Sequence, residues 1–158
     1  MIDADHDILG PHRRTGRLDG RCLCGAIRIA VDGDYVAAVG ACHCLMCQRW
    51  NGMLFGSFVA TAAHVTITGD VTRHPSSTFS ERGFCAVCGS HVWLRNIDPE
   101  ETEIELFPGL FEGARDFVLL SEGYTDRAPH YVTLAGDHRR KTRAEYEAHN
   151  PFVEGDAT

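Results

Sequence analysis

Lysine is nearly absent from this 158-residue chain: fourteen of its fifteen cations are arginine, and the longest basic run is Arg139-Arg140-Lys141. Against 22 acidic residues the net charge is −7, so the electrostatic footprint of nonspecific nucleic-acid binding is missing. Long apolar runs are lacking too. Met1 to Gly16 carries Asp3, Asp5, Asp7 and two arginines, which reads as neither a signal peptide nor a membrane-spanning helix, and the expected compartment is the cytoplasm. No Gly-rich phosphate loop, Ser-His-Asp pattern or His-x-x-x-His spacing stands out. Outside three short windows there is no cysteine either.

What is present suffices for one soluble domain: 44% of the residues are hydrophobic and 23% charged. A chain of this size buries roughly 68 to 70% of its unfolded surface and needs no disulfides to hold a core, so stability alone does not explain seven cysteines. Short alternating runs punctuated by Gly, Pro, Asp and Asn read as strands: Ala26–Val31 before an Asp32-Gly33 turn, Leu54–Val59, Val65–Thr68, Val71–His74, His91–Leu94, Glu103–Leu106 and Phe117–Leu120. Their spacing predicts antiparallel sheets. The best helix candidate is Asp137–Ala148, with Asp137 as cap. The expected organisation is an N-terminal extension over 1–16, a single domain over 17–149 and a tail over 150–158, with the two ends loosely tied.

The seven cysteines fall into Cys22-Leu23-Cys24, Cys42-His43-Cys44-Leu45-Met46-Cys47 and Cys85-Ala86-Val87-Cys88. In a reducing compartment such clusters point to metal ligands before disulfides, and the odd total argues the same way. Seven thiolates divide as four plus three. The middle trio can wrap one ion locally, leaving Cys22, Cys24, Cys85 and Cys88 to close a second site, although spacing alone does not exclude a division into Cys22, Cys24, Cys42 and Cys44 against Cys47, Cys85 and Cys88. Closed four-thiolate zinc is structural, while a catalytic zinc keeps a position open. Three thiolates on Zn²⁺ leave a local charge of −1, a poor generator of hydroxide but a good acceptor for an incoming soft thiolate. Gly25 and Gly89 follow the outer pairs, where a knuckle calls for positive φ.

Gly20-Arg21-Cys22-Leu23-Cys24-Gly25, Cys42 through Gln48-Arg49 to Gly52, and Arg82-Gly83-Phe84-Cys85-Ala86-Val87-Cys88-Gly89 together resemble the glutathione-dependent formaldehyde-activating enzyme (centromere protein V/Gfa domain) family, over about Gly16 to Leu110. The resemblance implies a mainly β, β-tent fold of antiparallel sheets around zinc knuckles. It also implies two zinc ions per chain, a structural one on Cys22, Cys24, Cys85 and Cys88 and an exchangeable one on Cys42, Cys44 and Cys47. The implied activity is that of a carbon–sulfur lyase run in reverse, making S-hydroxymethylglutathione from formaldehyde and glutathione. The partner is then a small-molecule thiol such as glutathione, with no nucleic acid and no membrane, and homodimer formation is left open.

Arg49, two residues past Cys47, is a candidate for binding a substrate carboxylate. His43 sits between two ligands and reads as a residue behind them or at the surface, with a pocket-facing acid or base as the alternative. Trp50, Phe55, Phe58 and Trp93 read as core before pocket lining, and His64, His74, His91 and His130 as surface or core. Asn51-Gly52 reads as a tight turn closing one lip of the trio. Against the enzyme stands a non-catalytic, zinc-stabilised binding or chaperone-like module of the same fold.

Overall fold

Ile29 and Val31 are buried while Arg28 and Asp32 are exposed, the period-two signature of a half-covered strand. They lie on β2 (Arg28–Val36) of the computed structural model, which describes residues 6–153. The expected turn at Asp32-Gly33 does not occur. Gly33 lies inside the strand at φ 146°, opposite Gly16, and a Cβ there would collide with the His64 imidazole, so glycine serves a close approach rather than a reversal.

The chain is mainly β. β1 (Arg13–Arg21) pairs antiparallel with β2 along its whole length, and β5 (Val65–Thr68) adds to β2's other edge. Residues 13–16, expected to be loosely tied, are thus the first part of a paired strand. The remaining strands are β3 (Ala38–Cys42), β4 (Phe55–Thr61), β6 (Val71–Pro75), β7 (Ser80–Cys85), β8 (His91–Asn96), β9 (Glu103–Leu106), β10 (Val118–Gly123) and β11 (Arg139–Lys141). They form one long path in the order β11-β10-β3-β4-β9-β8-β7-β6. Pairing along it is antiparallel except that β10 runs parallel to both β3 and β11. That crossover sets Glu122 opposite Ala41 and Gly123 opposite Cys42.

Helix is confined to α1 (His6–Leu9), α2 (Leu45–Asn51), α3 (Arg143–His149) and short 3-10 turns. α3 starts five residues later than a cap at Asp137 would have it. Its cap is Thr142, in a reciprocal box with Glu145, and β11 occupies the intervening residues. α2 follows Cys44 directly, and Gly52 at φ 77° is its left-handed terminator, which gives the turn expected at Asn51-Gly52 its physical cause.

Two apolar clusters position the site. The larger one packs Ile27, Ile29, Phe58, Trp93, Leu106 and Phe111, with Cys22 and Cys85 at its edge. The second gathers Phe55, Leu94, Tyr124 and Tyr146 around Cys42 and Cys47. Each cysteine group is therefore rooted in a different part of the core.

Candidate metal centres and the cavity beside them

Cys22 and Cys24 follow β1 directly, and Cys85 to Ser90 make the turn between β7 and β8. Each turn closes on itself: Gly25 N–H donates to the Cys22 carbonyl and Gly89 N–H to that of Cys85, with both glycines at positive φ (79° and 74°). Ser90 links the two turns, its hydroxyl accepting from Leu23 N–H at 3.1 Å and lying 3.2 Å from Cys88 Sγ. The ordering leaves Cys22, Cys24, Cys85 and Cys88 with all four sulfurs within 4.8 Å of one another. Cys22–Cys24 and Cys24–Cys85 sulfur separations are 3.5 and 3.9 Å, close to the edge of about 3.8 Å of a tetrahedron with 2.3 Å metal–sulfur bonds. Ser90's hydroxyl and N–H stabilise the Cys88 thiolate and bring its pKa down to about 5, so a ligand is ready without metal to deprotonate it.

The trio is assembled locally. Cys42 ends β3, and Cys44 caps α2 by accepting Cys47 N–H on its sulfur. The first turn of the helix then returns Cys47 to the same point, with all three sulfurs within 4.8 Å. Hydrogen bonds from Cys42 and Cys44, joined by the positive charge of Arg82, hold Cys47 well below the ordinary thiol range against the cost of burial. Cys42, donating toward Cys44 and Cys47, is pushed well above it. All seven cysteines are free thiols, and none is left over for redox chemistry outside these clusters. Both donor sets are soft, ionisable and clustered, which fits zinc.

A cavity of about 40 Å³ opens beside the trio, lined by Cys42, Cys44, Cys47, Phe55, Arg82 and Tyr124 among others. Its walls are largely apolar and its polar groups few, as in a small-molecule site. Phe55 lines this cavity and Phe58 and Trp93 are core, whereas Trp50 is half-buried between the rings of His74 and His91. Arg49 is exposed on α2 and does not line the cavity.

His43 is fully buried behind the trio. Its Nε2 and that of His138 each lie 2.8 Å from a Glu122 carboxylate oxygen, with Arg140 Nε at 3.4 Å. A carboxylate only accepts, so each Nε2 carries the proton. Burial raises the Glu122 carboxyl, but the donors on His138 and His43, with the charge of Arg140, outweigh it and hold the group below its ordinary range. Its contribution to stability is therefore complete above the unfolded carboxylate range and lost as pH falls through the folded value. Glu122→Gln should cost about 2 kcal/mol at pH 7, the worth of a buried hydrogen bond to a charged group. In urea titrations from pH 7 to 3 the gap to wild type should close with acidification; a constant gap would contradict the role given to the carboxylate.

Sequence reasoning assigned no role to Glu122, His138, Tyr124 or Arg82. The first three reach the trio only through the parallel pairing of β10 with β3 and β11, for which no local pattern exists. Arg82 did carry a signal: it stands in the run before Cys85 and shares a strand face with buried Ser80.

The sequence profile of the family described as glutathione-dependent formaldehyde-activating enzyme matches residues 17–127. An uncharacterized lyase of Schizosaccharomyces pombe is 33% identical over 77 residues, which cover 48% of this chain and 56% of that protein. The chain thus spans little more than half the length of this curated relative. A crystal structure of a Rhodobacter sphaeroides protein superposes with a TM-score of 0.49 at 24% identity, over 60% of this chain and 88% of that one. No helix among the described residues is long and apolar enough to cross a membrane.

Proposed function

The chain belongs to the glutathione-dependent formaldehyde-activating enzyme family, and from that premise we propose that it is a zinc-dependent carbon–sulfur lyase-type enzyme acting on a small thiol adduct. The leading reaction is formation of S-hydroxymethylglutathione from formaldehyde and glutathione. The observation that carries the reading is the three-thiolate cluster opening on a small, mostly apolar cavity. Zinc held by Cys42, Cys44 and Cys47 would supply a soft acceptor that favours the thiolate form of an incoming thiol.

The protein's own residues set the rest. A cavity of about 40 Å³ admits a thiol end and a one-carbon aldehyde but not a tripeptide, so the body of glutathione lies outside it. Arg49, exposed on the helix that carries Cys47, is assigned to a glutathione carboxylate. Phe55, Leu94 and Tyr146 keep bulk water from the reacting atoms. Zinc on Cys22, Cys24, Cys85 and Cys88 is structural in this reading. The proposed domain begins with β1 and runs to residue 149 in a β-tent arrangement, with a tail over 150–158. The location is cytoplasmic, where thiols stay reduced.

The test is the rate of S-hydroxymethylglutathione formation followed by exchange NMR with ¹³C-formaldehyde. Zinc-loaded protein should accelerate it above the spontaneous rate, and a panel of other thiols separates glutathione from competing substrates. No acceleration with any thiol would overturn the proposal.

A further inference from the structure

Arg82 is a cation buried as deeply as the core, 2% exposed, on the wall of the cavity beside the trio. Its fork is only partly used. Nε donates to Ser76 Oγ at 3.1 Å and Nη2 to Cys47 Sγ at 3.5 Å. The guanidinium lies 5.5 Å from the ring centres of both Trp50 and Phe55, which fixes its plane. Nη1 is buried and has no hydrogen-bond partner among the described residues. A buried donor left unpaired carries its full desolvation cost, and a balancing charge for the thiolates needs neither the fork nor its spare arm.

We propose that Arg82 Nη1 is the oxygen-binding donor of the site, holding the carbonyl oxygen of a one-carbon aldehyde and the alkoxide it becomes. The inference rests on the thiol-adduct reading above. In the addition, the thiol sulfur forms a bond to the aldehyde carbon, and the carbonyl π pair moves to the oxygen. The proton given up by the thiol ends on that oxygen, so reactants and product balance with no oxidant or reductant. Negative charge develops on the oxygen during this step, and a fixed donor aimed at it acts more strongly on the transition state than on the neutral aldehyde. The small cavity makes Arg82 a size filter as well: a one-carbon group reaches Nη1 and a branched one does not.

The experiment compares wild type with Arg82→Gln and Arg82→Lys, all zinc-loaded. Metal content is measured first, then adduct kinetics, then binding of formate read from tryptophan fluorescence, Trp50 lying against the Arg82 guanidinium, with pivalate as the bulky control. Arg82→Gln should retain two zincs, lose about 10²- to 10³-fold in kcat, the usual effect of removing an oxyanion donor, and leave KM for glutathione within twofold. Its formate affinity should fall at least tenfold. Arg82→Lys keeps the charge without the fork and should recover only part of both losses. Unchanged kcat and formate affinity in Arg82→Gln would overturn this inference alone, with the thiol-adduct reading intact. Wild-type protein that binds formate through Arg82 yet accelerates no adduct formation would overturn that reading and leave the oxygen site standing. If Arg82→Gln fails to fold, the wild type still decides: no saturable response to formate, or an equal one to pivalate, refutes the proposal.

Discussion

Cys85→Ser is expected to destroy the cooperative fold and release the metal of the four-cysteine cluster. Cys85 is 1% exposed and packs at the edge of the main core with Cys22. The cluster joins the end of β1 to the β7–β8 turn, two segments more than sixty residues apart in the chain. Among the described residues β1 pairs with β2 alone, apart from a single bridge from Gly20 to Phe111. Besides the cluster, the Leu23 N–H to Ser90 hydroxyl bond and the core shared by Ile27, Val92 and Trp93 tie the two parts together. Structural zinc sites supply on the order of 10 kcal/mol or more of folding free energy, whereas a domain's net stability is only about 5–15 kcal/mol. Losing one of four thiolates therefore removes an amount comparable to the whole margin. Far-UV circular dichroism and metal content of the purified variant check this, and a strong chelator should produce the same collapse in wild type. A folded, zinc-free Cys85→Ser protein would show that the cluster is not a structural staple.

Cys44→Ser should behave in the opposite way, keeping the fold and one zinc while losing at least about 10³-fold in adduct formation, the scale of removing an essential group from a catalytic site. The reason is local. Cys44 is only partly buried, and its structural task is to cap α2 by accepting Cys47 N–H. Serine is among the preferred residues at an N-cap, so the helix survives the exchange. What disappears is a soft, ionisable donor, for which a hydroxyl is a poor substitute on zinc. The pair Cys42 and Cys47 alone could not keep an ion in the open, three-thiolate arrangement that the proposed reaction requires. Zinc analysis, thermal unfolding and kinetics together read the outcome. A Cys44→Ser protein that unfolds and releases both metals would show that the catalytic assignment is wrong.

The grouping of the cysteines into four and three had a trace in the sequence because cysteine and glycine report chemistry and backbone conformation at once. Gly25 and Gly89 at positive φ, directly after the outer pairs, mark the knuckles without any need for tertiary information. Strands with an apolar face, such as β5, β8 and β9, were equally plain. β7 was not, since its buried face carries Ser80 and Arg82, and a hydrophobic pattern cannot reveal a strand whose inward side is polar. β3 has small residues on both faces and little alternation to read. α2 is only seven residues long, too short for a 3.6-residue period, and its cap is a cysteine rather than a preferred capping residue. The true start of α3 did leave a trace in the Thr142-to-Glu145 spacing, a capping box that outweighed the acidic residue at 137. The buried Glu122 network depends on strands that meet across more than seventy residues, where local sequence carries no information.

Zinc per chain on protein purified without added metal, repeated after dialysis against millimolar glutathione with a chromophoric chelator timing the release of each ion, tests the central claim most directly. The account predicts two zincs: one inert throughout, held by Cys22, Cys24, Cys85 and Cys88, and one on Cys42, Cys44 and Cys47 whose release or ligand set changes when the thiol is present. Two equally inert ions, indifferent to glutathione, would contradict it and identify the protein as a zinc-stabilised binding module instead of an enzyme.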